Sequence, residues 1–465
     1  MRRLVLVCGQ QADGEAWLLG RLPGVPMADI LWVADTAPAG TQATPAAKLS
    51  QCLGAEYPLL VFNAHQGFHP DAFAAALGTL RGGGDCVVLA PPLDSWRDFA
   101  DPDKARFASY PRDPAQMHGY FLQRLLGIWQ THRAVKIIRP QSDLALRLAA
   151  PPAEVFQLTR EQQAAAAAIE RVALGHARRP LVLTADRGRG KSTVLGVAAA
   201  RLLSGGLPRV TVVAPGRAAV GTLFRHARMT AGQDAGGVAD TVIGDGRLCF
   251  RLPADCMVML EDEPGLILVD EAAAIPVAVL NRLLDQGNRL VFASTVHGYE
   301  GSGRGFELRF QVQLEQKMPQ WRSLRLESPV RWSEGDPLEA LLNTSFLLDA
   351  ELEDIDPGAP IAIERVGPSE LVEDEMLLRA VFGLLINAHY QTRPSDLRQL
   401  LDNPDTALWL ARSGGSVCGV VLGCAEGGFD RAMAARVLSG ERRPRGHLLP
   451  QSLAVHAGLD AALTL

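Results

Sequence analysis

The sequence predicts a multi-domain α/β protein, and three observations lead to that fold class. Short apolar runs, spaced as in βαβ units, recur through residues 1–150. A second set begins near residue 180, where a glycine-rich segment lies between a strand-like run and a helix-like run. The chain has 465 residues, more than one hydrophobic core usually supports, so two to four domains are expected.

Composition limits the classes of protein that this chain can be. It is 48% hydrophobic and 21% charged, with a formal net charge of −5, so any nucleic-acid surface must be local. Its seven cysteines form no C-x-x-C pair, which favours reduced thiols and argues against a zinc site. No apolar stretch approaches transmembrane length, and the N-terminus lacks the apolar run of a signal peptide. We therefore expect a cytoplasmic protein with no membrane partner.

The first unit, residues 1–150, is predicted to be an α/β domain. Its strands are expected at four apolar runs: Leu4–Cys8, Ile30–Val33, Leu59–Phe62 and Cys86–Leu89. His65 and His69 follow the third run, where they either make structural hydrogen bonds or contact RNA or the next domain. A basic stretch from Arg124 to Arg147, with Phe121 and Trp129 nearby, is either an RNA-binding surface or a solvated helix face.

The second unit, residues 151–350, contains the segment TADRGRGKST at positions 184–193. It follows an apolar run and opens an alanine- and leucine-rich helix, which is the setting of a phosphate-binding P-loop. Lys191 is expected to reach the β- and γ-phosphates of ATP, and the Ser192 hydroxyl to hold Mg²⁺. The usual pattern has glycine where this chain has Ala185. The loop residues predicted to bind nucleotide are Asp186, Arg187, Gly188, Arg189, Gly190, Lys191, Ser192 and Thr193.

A second motif, LILVDEAAAIP at positions 266–276, supplies two acids at the end of a buried strand. Asp270 is expected to hold Mg²⁺ with Ser192, while Glu271 polarises the attacking water. Lys191, Asp270 and Glu271 are therefore the predicted catalytic residues.

Further polar residues are expected near this site. Gln162, favoured over Gln163, follows the N-cap Thr159 and resembles the glutamine with which helicases read adenine. Ser294 and Thr295 end a strand, where a γ-phosphate would be sensed. A glycine-rich loop at positions 297–306 is expected near the nucleotide. Arg331 either neutralises phosphate charge or stacks on Trp332.

The third unit, residues 351–465, begins with an acid-rich linker and continues into a short domain. A hairpin is predicted at residues 407–423 around Ser413-Gly414-Gly415. A basic loop follows, and it either binds phosphate or is solvated surface. Its arginines are Arg436, Arg442, Arg443 and Arg445.

The motifs ADRGRGKS, VDEAAAIP, STVHGYEGSGRGF and SPVRW, in this order, resemble the bacterial tRNA(Met) cytidine acetyltransferase family. So do AHYQTRPSDL at positions 388–397 and RPRGHLLPQSL at positions 443–453. The resemblance implies an N-terminal accessory domain, a RecA-like P-loop ATPase/helicase domain, and a GNAT acetyltransferase domain. It implies ATP, Mg²⁺ and acetyl-CoA as cofactors, and elongator tRNA(Met), whose wobble cytidine becomes N4-acetylcytidine, as substrate. Gln162 and Arg331 would then contact ATP alongside residues 186–193.

The sequence departs from that family in its third unit. A GNAT domain binds the acetyl-CoA pyrophosphate with an R-x-x-G-x-G/A loop, and none follows the hairpin in this chain. We therefore expect a C-terminally truncated member with a partial GNAT-like domain. The alternatives are an RNA-stimulated ATPase without acetyl transfer and a non-catalytic RNA-binding fragment. DNA is not expected as a partner.

Overall fold

A computed structural model describes residues 1–52, 54–149, 157–233, 240–255, 265–287, 289–296, 304–356, 358–388 and 392–465. These residues form three β-sheets with helices packed on them, which confirms the predicted multi-domain α/β class. Within the described ranges, no helix is both long enough and apolar enough to span a bilayer.

The first sheet has six parallel strands in the order β3-β2-β4-β5-β1-β6. All four predicted runs lie in its strands β1, β2, β4 and β5. The helices cover both faces, so its central strands are buried throughout. Its elements are β1 Arg3–Cys8, α1 Gln11–Leu19, β2 Ile30–Val33, β3 Ala43–Thr44, β4 Tyr57–Asn63, α2 Pro70–Leu77, β5 Leu80–Ala90, α3 Tyr120–Thr131 and β6 Val135–Ile138.

The second sheet has seven strands in the order β13-β7-β12-β11-β8-β10-β9, parallel except for the β9–β10 pair. Strand β12 lies between β7 and β11, so the ends of these three strands meet at one edge. The elements are α4 Arg160–Leu174, β7 Leu181–Ala185, α5 Lys191–Ser204, β8 Arg209–Val213, α6 Gly221–Thr230, β9 Thr241–Ile243, β10 Gly246–Arg251, β11 Leu266–Val269, α7 Val277–Gln286, β12 Leu290–Thr295, α8 Arg304–Lys317 and β13 Arg322–Leu326.

The third sheet is a three-stranded antiparallel sheet, β14-β15-β16. Its strands β15 and β16 form the predicted hairpin, with Gly414 and Gly415 in the left-handed conformation at the turn. The remaining elements are α9 Pro337–Phe346, β14 Ile361–Val366, α10 Pro368–Glu373, α11 Glu375–Ala388, α12 Pro394–Asp402, β15 Thr406–Ser413, β16 Ser416–Cys424, α13 Arg431–Leu438 and α14 Leu448–Ala457.

The first and third sheets share one hydrophobic core. Phe346 of α9 packs against Phe73 of α2 and Phe121 of α3. Leu397 and Leu401 of α12 belong to the same buried cluster. The P-loop sheet has two clusters of its own, one on each face. Helix α9 and the buried residues of α11, α12 and β15 therefore pack in the same core as the first sheet.

One residue of the basic stretch, Arg124 of α3, is structural, which corrects both interpretations for that residue; Arg133, Lys136, Arg139 and Arg147 are exposed. Arg124 is buried and donates to the Glu375 carboxylate at 2.7 Å and to the carbonyl of Ser345 at 2.7 Å. Phe121 and Trp129 are also buried, at 1% exposure each. These side chains therefore hold α3 against α9 and α11, because an arginine with a carboxylate and carbonyl partners can be buried.

A second buried arginine joins α12 to the first domain. The Arg398 guanidinium is fully buried and lies 2.6 Å from Asp101, 3.0 Å from Asp103 and 3.3 Å from Asp402. Its Nη1 also donates to the carbonyl of Phe68. Burial raises the pKa of Asp402 to about 6, against the opposing effect of Arg398. One cation therefore satisfies three carboxylates inside the core.

Candidate nucleotide site

The P-loop connects β7 to α5 and has the backbone that phosphate binding requires. Gly188 and Gly190 have φ values of 80° and 78°, which side chains other than glycine rarely adopt. A Cβ atom on Gly188 would lie 2.6 Å from the Trp332 ring, so any larger residue at this position would clash with that ring. Ala185, by contrast, is the last residue of β7 and pairs with Thr295, so its extended backbone accommodates alanine.

Lys191 lies at the centre of a short hydrogen-bonded chain. Its ammonium donates to the Thr295 hydroxyl at 2.7 Å, and Thr295 donates to the Glu271 carboxylate at 3.1 Å. The Lys191 nitrogen lies 3.7 Å from Glu271. The structure therefore brings together the ends of β12 and β11 with the start of α5.

Ser192 and Asp270, the two predicted Mg²⁺ ligands, are in direct contact. The Ser192 hydroxyl donates to Asp270 Oδ2 at 2.8 Å, and the Glu271 backbone N–H donates to Oδ1 at 3.0 Å. Asp270 is fully buried. Burial and the adjacent Glu271 charge raise the pKa of Asp270 to about 7. A bound cation would oppose both effects, because it favours the ionised carboxylate.

Glu271 has an unusual backbone. Its φ of 51° and ψ of 49° are left-handed, a conformation that non-glycine residues adopt at a cost of about 1 kcal/mol or more. This turn ends β11 abruptly and directs the carboxylate toward Thr295. Strain of this kind at the end of a central strand is common at functional sites.

The P-loop, Glu271 and Thr295 line an open cleft with an empty volume of about 1070 Å³. One wall is the P-loop, and another comes from α6 and the segment just before it. The first domain also contributes to the lining, with Gly54 and Glu56. The lining residues from outside the two motifs are Gly54, Glu56, Ala218, Ala219, Thr222, Arg225, His226, Thr295, Val330 and Arg331.

Two lining residues could not be recognised from the sequence. His226 lies on α6, and burial together with the Arg225 charge lowers its pKa to about 4. Glu56 lies 3.3 Å from Arg331 Nε, although 275 positions separate them in the chain. Neither residue belongs to a contiguous pattern, so only the fold brings them to the cleft.

Arg331 lines the cleft, and its contact with phosphate stays a prediction. It also donates to the Gly78 carbonyl at 3.0 Å. The guanidinium that lies over the Trp332 ring is that of Arg2, 3.7 Å from the ring centre. Arg2 is in turn paired with Asp336 at 2.9 Å.

Gln162 is buried behind the P-loop rather than lining the cleft. Its amide nitrogen donates to the Arg189 carbonyl at 3.2 Å, and its amide oxygen accepts from the Thr159 N–H at 3.0 Å. Thr159 is the N-cap of α4, as predicted. The amide therefore supports the loop in this structure, and adenine recognition by Gln162 stays a prediction.

The arginines of the loop differ in their surroundings. Arg189 donates to the Glu339 carboxylate of α9 and to the Glu327 carbonyl at 3.1 Å, so it braces the loop from behind. Asp186 lies 3.6 Å from Arg325, and Arg187 lines the cleft. Of the glycine-rich loop predicted at positions 297–306, residues 297–303 lie outside the described residues.

Other predicted contact residues have structural partners. His69 caps α2, where its Nδ1 accepts from the Ala72 N–H at 3.2 Å, as the structural interpretation expected. In the basic loop, Arg445 donates to the Ala105 carbonyl at 2.8 Å, and Arg436 lies 3.6 Å from Glu441. Arg442 and Arg443 are exposed. These two are therefore the better candidates in that loop for contact with phosphate.

Two family models match the chain. One, described as RNA cytidine acetyltransferase NAT10/TcmA, helicase domain, covers residues 182–349. The other, described as tRNA(Met) cytidine acetyltransferase TmcA, N-terminal, covers residues 1–140. The first match contains every motif residue of the cleft, and the second contains the domain that supplies Glu56.

Similar proteins carry the same family name. The tRNA(Met) cytidine acetyltransferase TmcA of Nitrosococcus halophilus is 42% identical over 95% of this chain and 61% of its own length. That of Vibrio cholerae is 39% identical over 89% of this chain and 55% of its own length. This chain thus spans less than two thirds of either relative.

Among solved structures, a large terminase from a thermophilic bacteriophage overlaps 37% of this chain and 46% of its own length, with 12% identity and a TM-score of 0.29. From the two family models and these relatives, we conclude that the chain belongs to the tRNA(Met) cytidine acetyltransferase (TmcA) family.

Proposed function

We propose that this chain binds and hydrolyses Mg²⁺–ATP in the P-loop cleft, and that hydrolysis serves the acetylation of a tRNA cytidine from acetyl-CoA. The observation that carries the first part is the meeting of Lys191, Ser192, Asp270 and Glu271 at one sheet edge. The second part rests on the names of the relatives, tRNA(Met) cytidine acetyltransferases.

Each residue has a distinct task in this proposal. The loop N–H groups around Gly188 and Gly190, with the N-terminus of α5, would hold phosphate oxygens. Lys191 would exchange its contact with Thr295 for the β- and γ-phosphates. Ser192 and Asp270 would hold Mg²⁺, which neutralises phosphate charge when bound. Glu271 would accept a proton from the attacking water or orient it.

The coupling to tRNA has a physical reason. The exocyclic amine of a stacked cytidine must leave the stack before an acetyl group can reach it, and unstacking costs about a few kcal/mol. ATP hydrolysis would supply that work by remodelling the anticodon stem. Arg217, which is exposed in the turn that follows β8, would contact the nucleic-acid backbone.

The test is one reaction that contains the purified chain, tRNA(Met), ATP and acetyl-CoA. Phosphate release and the N4-acetylcytidine content of the digested tRNA are measured together, for the wild type and for Lys191→Ala. We expect both products with the wild type and neither with the variant. Acetylcytidine formation that does not depend on ATP or on Lys191 would contradict the proposed coupling.

A second candidate is an RNA-stimulated ATPase without acetyl transfer. It is favoured by one observation: the residues predicted to bind ATP and Mg²⁺ contact one another in the described structure, whereas acetyl transfer rests on the names of relatives that the chain covers to 61% and 55% of their length. The same reaction separates the two. Phosphate release that tRNA stimulates, without acetylcytidine, would select the ATPase.

A further inference from the structure

The first domain contacts the nucleotide cleft through a short segment that precedes β4. The Gly54 carbonyl accepts a hydrogen bond from Arg225 of α6 at 3.3 Å. Two residues later, the Glu56 carboxylate pairs with Arg331 Nε at 3.3 Å. This segment therefore contacts both the α6 wall and the Arg331 wall of the cleft.

Arg331 connects the P-loop to the first domain. Its neighbour Val330 donates a backbone hydrogen bond to the Gly188 carbonyl at 2.8 Å. Its own carbonyl accepts from the Gly82 N–H at 2.8 Å, and its Nη1 donates to the Gly78 carbonyl. A change in the binding partner of the Arg331 guanidinium would therefore affect both the P-loop and the first domain.

We propose that Glu56 is a positioning residue that competes with ATP phosphate for Arg331. The inference rests on the proposed ATP site and adds a control element supplied by the first domain. In the structure the carboxylate takes up one side of the guanidinium. When nucleotide binds, Arg331 exchanges this carboxylate for phosphate oxygens, and the Glu56 segment loses its ionic contact with that wall.

The charges and exposures favour such an exchange. The Glu56 side chain is 40% exposed and that of Arg331 is 15% exposed, so water can replace the arginine as a partner of the carboxylate. Partly exposed pairs of this kind are weak. Phosphate carries more charge than one carboxylate and accepts paired N–H groups of arginine.

The remaining contacts of Arg331 keep it in place. The Gly78 and Gly82 hydrogen bonds do not involve Glu56, so removal of the carboxylate leaves the arginine anchored beside the P-loop. Glu56→Gln should therefore release the guanidinium toward nucleotide. In the absence of Arg331, the identity of residue 56 should no longer matter.

The experiment measures ATP affinity by titration calorimetry for the wild type, Glu56→Gln, Arg331→Ala and the double variant. We expect Glu56→Gln to tighten ATP binding about two- to fivefold, the ratio expected for loss of a competing surface ion pair. Glu56→Gln should change nothing in the Arg331→Ala background. Asp29→Asn is the matched control, because Asp29 is an exposed acid at the same end of the first sheet and does not line the cleft.

Three outcomes would overturn the proposal. One is unchanged or weaker ATP binding by Glu56→Gln, and another is an equal gain in the Arg331→Ala background. The third is an equal gain from Asp29→Asn, which would indicate only a general charge effect. A wild type that binds no ATP would remove the proposed function together with this inference. ATP binding that Lys191→Ala abolishes but residue 56 does not affect would remove the inference alone.

Discussion

The ammonium of Lys191 lies 2.7 Å from the hydroxyl of Thr295, a residue 104 positions further along the chain. Parallel pairing of β7 with β12 produces this contact, because it places Thr295 beside Ala185 at the entrance of the P-loop. Thr295 also binds Glu271, so one hydroxyl aligns the cation and the carboxylate before any ligand enters.

The first prediction concerns the cation itself. Lys191→Ala should lower ATP hydrolysis by at least about a hundredfold, since the charge that meets the phosphates is lost. Phosphate release under saturating ATP measures the effect. Lys317→Ala is the matched control, because Lys317 pairs with Asp285 on the surface of the same domain. Wild-type turnover by Lys191→Ala would refute the P-loop assignment.

The second prediction separates binding from hydrolysis. Glu271→Gln keeps the shape of the side chain and a hydrogen bond to Thr295 but removes the base, so ATP affinity should persist while turnover falls about a hundredfold. Calorimetric affinity and phosphate release are measured on the same preparation. Glu315→Gln, an exposed change on α8, serves as the control. Unchanged hydrolysis in Glu271→Gln would show that another residue activates the attacking water.

The third prediction concerns pH. The pKa of His226 is lowered to about 4 in the folded chain. Its imidazole therefore binds a proton near pH 6.5 in the unfolded chain but stays neutral at that pH in the folded chain. His226 should therefore contribute a fall of about 1 kcal/mol in the free energy of unfolding as the pH drops from 7.5 to 5.5, after allowance for its partial exposure. Denaturant titrations at both pH values, on the wild type and His226→Asn, measure it. An equal loss in the variant would assign the acid sensitivity to other groups.

The fourth prediction concerns the buried arginine of α3. Arg124→Met should lower the free energy of unfolding by about 2 kcal/mol, because the Ser345 carbonyl and the Glu375 carboxylate lose their donor. Urea titration measures the change. Arg133→Met, an exposed site just beyond the same helix, should be neutral within about 0.5 kcal/mol. A neutral Arg124→Met would show that these contacts add nothing to stability.

The fifth prediction concerns tRNA. Arg442→Ala combined with Arg443→Ala should weaken tRNA binding and reduce its dependence on salt, because each lost phosphate contact removes about one unit from the logarithmic slope. Filter binding at several salt concentrations measures the slope. Arg445 is left intact, because it bonds to the first domain. Equal salt-dependence slopes for the variant and the wild type would indicate that this loop is solvated surface without phosphate contacts.

The sequence predicted those parts of the site that are contiguous in the chain. The P-loop needs its glycines and lysine at fixed spacing, so the local pattern predicts its geometry around Lys191. The separate run of apolar residues before two acids predicts the position of Asp270 at a strand end. Arg124 could not be interpreted in this way, because its burial depends on α9 and α11, which lie more than two hundred positions away. Glu56 was missed for the same reason. A single acid before a strand forms no recognisable sequence pattern, and its partner Arg331 is distant in the chain.

The guanidinium of Arg398 has a consequence for how this molecule can be divided. Any cut that separates α12 from the first domain would leave Asp101 and Asp103 in the core without their cation, and would expose one arginine beside Asp402. Such fragments would carry an electrostatic penalty that neither could relieve alone. We therefore expect the first domain and α12 to fold as one unit, whereas the P-loop sheet has hydrophobic clusters of its own.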